Sequence, residues 1–227
     1  MDQPPPDGPH SALALTVMGT VLVGFAIATT LLILAPGPDN LLVMRNTLRG
    51  GRRTGLSTAA GTVTGLLIWA VAAALGLSAL LQASRTGYDV LRFVGAGYLI
   101  WLGVTSLGFL RRRPGLGLRS TAPSAPAVSV RGAYLNGVLT NLFNPKIGVF
   151  FIALLPGFIP AGQSTGSFSL ALGLWFVVET GLWLCAVVWM VSRGVGWLRR
   201  SSVQRWIERA TRVVLIGLGV RLATEAR

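Results

Sequence analysis

Long apolar runs separated by clusters of arginine set the pattern of this chain. The stretches Gly8–Pro38, Thr54–Ser84, Phe93–Leu110 and Ile147–Val178 contain no Asp, Glu, Lys or Arg. About 20 apolar residues in a helix cross a hydrocarbon core of about 30 Å. The pattern predicts six helices: Ala14–Ala35, Leu56–Leu81, Phe93–Leu110, Gly132–Ile159, Phe168–Ser192 and Glu208–Leu222. The expected fold class is therefore an all-α integral membrane protein with six transmembrane helices. The sixth is the weakest, because its uncharged core is only Val213–Val220 and Arg212 and Arg221 must snorkel from its ends. An amphipathic helix lying in the interface is the alternative there. The first run lacks a basic leader and is too long for the apolar core of a signal peptide.

Composition sharpens this picture. Hydrophobic residues make up 52% of the chain and charged residues 12%, against about 25% charged in a soluble domain. The net charge is nevertheless +13, so the position of each charge matters. Arg45, Arg49, Arg52 and Arg53 follow the first predicted span. Arg111, Arg112, Arg113, Arg119 and Arg131 follow the third, and Arg193, Arg199, Arg200, Arg205, Arg209 and Arg212 follow the fifth. Only Arg85 and Arg92 lie between the second and third spans, and no Lys or Arg separates the fourth from the fifth. By the positive-inside rule the odd loops are cytoplasmic and both termini lie outside. This loop-by-loop alternation disfavours a nucleic-acid binder. The segment 111–131, with Pro114, Gly115, Gly117, Pro123 and Pro126, reads as a flexible cytoplasmic linker. It follows a Pro-rich tail (1–12) and a first three-helix half (13–110), and precedes a second half (132–224). Two halves with an odd number of spans insert in opposite senses, as in inverted-repeat transporters.

Two motifs interrupt the apolar pattern, each in the first helix of its half. At Pro36-Gly37-Pro38-Asp39-Asn40 the prolines must stop the helix, and Pro38 or Asp39 can start another. At Asn141-Leu142-Phe143-Asn144-Pro145-Lys146 a proline breaks the fourth predicted helix near its middle. Lys146 then lies roughly 20 Å from either end of a straight helix, beyond the reach of its own stem. It is also the only lysine. An ammonium at that depth costs about 2.5–3.5 kcal/mol on insertion scales and calls for a cavity and a partner. Paired interruptions mark the midplane substrate site of many transporters, and their free N–H and C=O groups suit the two charges of a zwitterion.

Glu179 is the third anomaly, a carboxylate about midway through the fifth predicted helix. Lys146 and Asp39 are its expected partners by elimination, and proton exchange during transport is its expected use. Gly61 and Gly65 predict close helix packing; most of the seven tryptophans are expected to pack or anchor at the interface. One cysteine, Cys185, and one histidine, His10, exclude disulfide frameworks and make a histidine triad or zinc site untenable. No metal site, cofactor or catalytic residue is expected, and no nucleophile–base pair suggests an enzyme.

In combination these motifs resemble the LysE/RhtB family of amino-acid exporters. The resemblance rests on Pro36-Gly37-Pro38-Asp39-Asn40, then Arg52-x-x-Gly55 and Gly61. It continues through Gly97-Tyr98-Leu99-Ile100-Trp101-Leu102-Gly103, Asn144-Pro145-Lys146, Phe150-Phe151 and Leu154-Leu155-Pro156-Gly157-Phe158. It spans about Ala14 to Leu222. It implies an inner-membrane exporter of amino acids or related metabolites driven by the proton motive force, and it assigns Pro36, Gly37, Pro38, Asn40, Asn144, Pro145 and Lys146 to the pocket. Asp39 lies within the first motif and Asn141 opens the second break. Asp39, Lys146 and Glu179 are the proton-coupling candidates, Glu179 on physical grounds alone. The partners expected are an amino-acid substrate, protons and the bilayer, with no nucleic acid; a homo-oligomer is compatible with this reading. Divalent-metal efflux and a non-transporting membrane scaffold or assembly factor are the alternatives.

Overall fold

The computed structural model describes residues 9–35, 37–83, 86–87, 89–90, 93–98, 100–101, 104, 128–194, 209, 213 and 216–224. Among these residues every regular element is helical. Helix α1 is Pro9–Leu34 and α2 is Pro38–Ala83. After residue 127 come α3 (Val130–Leu142), a short α4 (Pro145–Val149), a π-helical turn (Phe150–Leu154), a 3-10 turn (Leu155–Phe158) and α5 (Thr165–Ser192).

Among the described residues three helices are long and apolar enough to span a bilayer: Thr16–Leu34, Pro38–Gly76 and Thr165–Ser192. The pair Val130–Leu142 and Pro145–Phe158, bent by 47°, passes the same test when taken together, as a broken span or a re-entrant loop. Pro145 accounts for the bend: it has no N–H to continue α3, and Asn144 caps the restart by accepting from the Lys146 N–H at 3.1 Å. The third predicted span, the sixth, the Pro-rich tail and most of the central linker fall largely outside the described residues. Those of 93–104 and 209–224 that are described are helical. Leu218 and Leu222 are buried in the main core, and the Arg221 guanidinium lies over the Phe158 ring at 4.7 Å.

The expected cytoplasmic loop after the first span is itself helical. α2 begins at Pro38, directly after the break, and runs through Arg45 and Arg49 to a kink at Gly51. Gly51 has φ 75°, a conformation open to glycine at little steric cost. Beyond it the helix continues into the second span. Arginine is a good helix former, so the basic cluster does not break the helix.

Two contacts position the site. The first is a cluster of rings: Phe150 lies 4.5 Å from Phe176 and 6.1 Å from Phe25, and Phe151 stacks on Trp69 at 6.2 Å. The second is the approach of α2 to α3. A side chain at Gly61 would strike the Tyr134 carbonyl, and one at Gly137 the Thr58 carbonyl. Glycine at both positions lets the backbones touch, as expected of Gly61 and Gly65.

Candidate functional site

The helix end at Leu34 leaves the last carbonyls of α1 without intrahelical partners. Two side chains from beyond the breaks supply them. The Asn40 amide donates to the Ile33 carbonyl at 2.9 Å and to Ala35 at 3.4 Å. The Lys146 ammonium, in a residue only 7% exposed, donates to the carbonyls of Leu32 at 3.1 Å and Ala35 at 3.2 Å. An ammonium at the negative end of a helix is electrostatically well placed. Gly37 makes the approach feasible, since a methyl group there would come within 3.0 Å of the Lys146 nitrogen.

The other break is braced in the reverse direction. Asp39, in the first turn of α2, accepts from the Asn144 amide at 2.7 Å and the Asn141 amide at 3.4 Å, both through one carboxylate oxygen. Each restarted helix therefore begins with proline followed by a charged residue: Pro38-Asp39 and Pro145-Lys146. Each charged side chain reaches across to the opposite break. Asp39 is also the charge that acts on Lys146 electrostatically.

Between the breaks lies a small, partly open cavity lined by Gly37, Asp39, Asn141, Lys146, Phe176 and Thr180, among others. Three buried oxygens on its walls have no hydrogen-bond partner: Asp39 Oδ1, Asn141 Oδ1 and Thr180 Oγ1. An unpartnered buried polar atom carries a desolvation cost of about 1–3 kcal/mol, and three such atoms belong to residues that line this one cavity. Among the described residues no group of three or more His, Cys, Asp or Glu side chains gathers.

The family model described as LysE type translocator matches residues 30–226. This chain belongs to that family. The translocator is 32% identical over 210 residues to the uncharacterized membrane protein PA4757 of Pseudomonas aeruginosa, covering 88% of this chain and 93% of the relative. It is 28% identical over 201 residues to a homoserine/homoserine lactone efflux protein of Salmonella typhimurium, covering 88% and 94%. It is 26% identical over 197 residues to a threonine efflux protein of Escherichia coli, covering 84% and 91%. No solved structure matches the translocator.

The structure gathers Gly37, Asp39, Asn40, Asn141 and Lys146 at one cavity, with Asn144 bracing Asp39 and Pro145 forming the bend. Pro38 opens α2, and Pro36 lies outside the described residues. One detail adds to the sequence expectation and one differs from it. The Asn40 amide caps α1 while its oxygen accepts from Trp183 Nε1 at 3.2 Å, so both ends of that side chain hold structure. Glu179 is bonded to hydroxyls of α1, not to Lys146 or Asp39: it accepts from Thr29 at 2.7 Å and from Thr30. Threonine at depth satisfies a carboxylate without a counter-charge, which a search for opposite charges cannot detect. Phe176, Thr180 and Trp183 are the residues that sequence reasoning missed. Their only signal is helical spacing around Glu179: Phe176, Thr180 and Leu184 recur at every fourth position and line the cavity.

Proposed function

We propose that this translocator is a secondary active exporter of amino acids or related small zwitterionic metabolites, coupled to the proton motive force, in the bacterial inner membrane. The observation that carries this reading is the pairing of Lys146 with unpartnered acceptors across one cavity at the meeting of two broken helices. Two N–H bonds of the ammonium are taken up by α1 carbonyls, leaving the third for a substrate carboxylate. The Thr180 hydroxyl is a second donor on the cavity wall. Asp39 Oδ1 and Asn141 Oδ1 accept from a substrate ammonium. The names of the Salmonella and Escherichia relatives support a small amino acid such as homoserine or threonine. The pseudo-symmetric bracing of the two breaks supports two inverted halves that rock about the site.

Counterflow in proteoliposomes tests this. Vesicles loaded with unlabelled homoserine or threonine are expected to take up the labelled amino acid. Asp39→Asn and Lys146→Ala are expected to abolish that exchange while the protein still inserts. Wild-type exchange in both variants would remove the site assignment, and no exchange of any amino acid by the wild type would favour a scaffold.

A further inference from the structure

We propose that Glu179 and the Thr29–Thr30 pair form the proton-operated latch of this translocator, a coupling site separate from the substrate cavity. The inference rests on the export reading above. Glu179 lies at the middle of the 28-residue α5 and is half-buried. Its two carboxylate oxygens accept separately, one from Thr29 and one from Thr30. The cavity between the breaks is lined by Thr180 and Phe176 but not by Glu179, which sets this carboxylate apart from the substrate groups proposed there.

The switch is built into Thr29. Its hydroxyl has one hydrogen but three acceptors within reach: Glu179 at 2.7 Å, the Phe25 carbonyl at 3.0 Å and the Ala26 carbonyl at 3.1 Å. While Glu179 is a carboxylate, that hydrogen points across to α5. When a proton from the acidic side binds one carboxylate oxygen, the new O–H must donate. It donates to a threonine oxygen, and the Thr29 hydrogen turns back to the Phe25 carbonyl. With the proton on the oxygen that faced Thr29, the Thr29 bond reverses and runs from α5 to α1, while the Thr30 hydroxyl still donates to the other oxygen. Loss of the proton to the cytoplasm restores the first arrangement.

A change at this latch reaches the cavity through α1. Thr29 lies one turn before Leu32, whose carbonyl holds Lys146, and Leu32 and Ile33 line the cavity. One turn along α5, Trp183 holds Asn40, which caps the same helix end. The last two turns of α1 are thus held from α4 by Lys146 and from α5 by Glu179. Of the elements packed against α5, α1 offers only these hydroxyls at this level and has no titratable residue from Ser11 to Leu34. α2 contributes Asp39 on the cavity side, with Arg45, Arg49, Arg52 and Arg53 further along, and α4 contributes Lys146.

Glu179→Gln keeps the shape and fixes the neutral state. In proteoliposomes this variant is expected to retain amino-acid counterflow, which moves no net proton, and to lose the response to an imposed pH gradient by about tenfold, an ordinary size for coupling between sites. Thr30→Val leaves the carboxylate with one donor and is expected to shift the pH dependence of driven transport. Gradient-driven transport equal to wild type in Glu179→Gln, or an unchanged pH profile in Thr30→Val, would overturn the latch. So would loss of counterflow together with driven transport in inserted Glu179→Gln protein, since that marks a fixed structural clamp. Infrared spectroscopy of the reconstituted protein without substrate supplies an independent readout. A protonated-carboxyl band should grow on acidification, vanish in Glu179→Gln and move in Thr30→Val; its absence would overturn the latch. Wild-type counterflow in the same vesicles tests the export reading separately.

Discussion

Lys146 sits in the first turn of a short helix, where the helix dipole opposes a cation. Its position makes sense only through the carbonyl end of α1, which it meets across the break. A compact ammonium fits this setting better than a planar guanidinium, whose fork needs more room and a matching acceptor. Lys146→Arg is therefore expected to keep the charge yet lose substrate exchange, as measured by counterflow. Gly37→Ala is the companion test. Its new methyl group would stand 3.0 Å from the ammonium and 3.5 Å from the Cε carbon, so the lysine must shift from the carbonyls. Exchange is expected to fall in this variant while its detergent-solubilised protein elutes like wild type in size exclusion. Undiminished exchange in both variants would show that the ammonium needs no fixed seat.

At the scale of elements, the two breaks were legible because proline chemistry is local. Pro36-Gly37-Pro38 and Asn144-Pro145 end and restart helices wherever they occur, and Lys146 was conspicuous as a lone charge at depth. The bracing was not legible, because Asp39 and Asn144, or Glu179 and Thr29, are more than a hundred residues apart. Their contact depends on helix packing that no local pattern encodes. The helix through Arg45 and Arg49 was hidden for another reason: charge clusters report which side of the membrane a segment occupies, not its backbone. The packing itself is tested at Gly61. The Tyr134 carbonyl occupies the space a side chain would need, and this contact sets the approach of α3 and hence of Asn141. Gly61→Val is expected to force α2 from α3, costing about 1–3 kcal/mol by overpacking. A lower thermal midpoint in detergent, together with lost exchange, is the expected outcome; an unchanged midpoint would mean that the helices separate freely.

For the whole molecule, the +13 charge is a statement about orientation. Fifteen of the twenty Lys and Arg residues follow the first, third and fifth predicted spans. Short loops with that bias remain in the cytoplasm. The central Arg-rich linker should therefore face the cytoplasm, and the turn between the 3-10 segment and α5 should face outward. Substitution of Cys185 by serine leaves a cysteine-free chain, to which Ser124→Cys or Gln163→Cys adds one thiol. A membrane-impermeant maleimide applied to intact cells is expected to label Gln163→Cys and spare Ser124→Cys. Inside-out vesicles should give the reverse. A third thiol at Ala226 addresses the sixth predicted span, because labelling from outside requires that segment to cross and labelling from inside leaves it at the interface. The order of the first two results bears on transport as well. If the two halves insert in opposite senses, a pseudo-two-fold axis in the membrane plane relates the Asp39 and Lys146 braces. If both single thiols label from the same side, the bent segment Val130–Phe158 does not cross the membrane and the second half does not begin with a span. The matching Pro38-Asp39 and Pro145-Lys146 starts would then need an explanation other than internal symmetry.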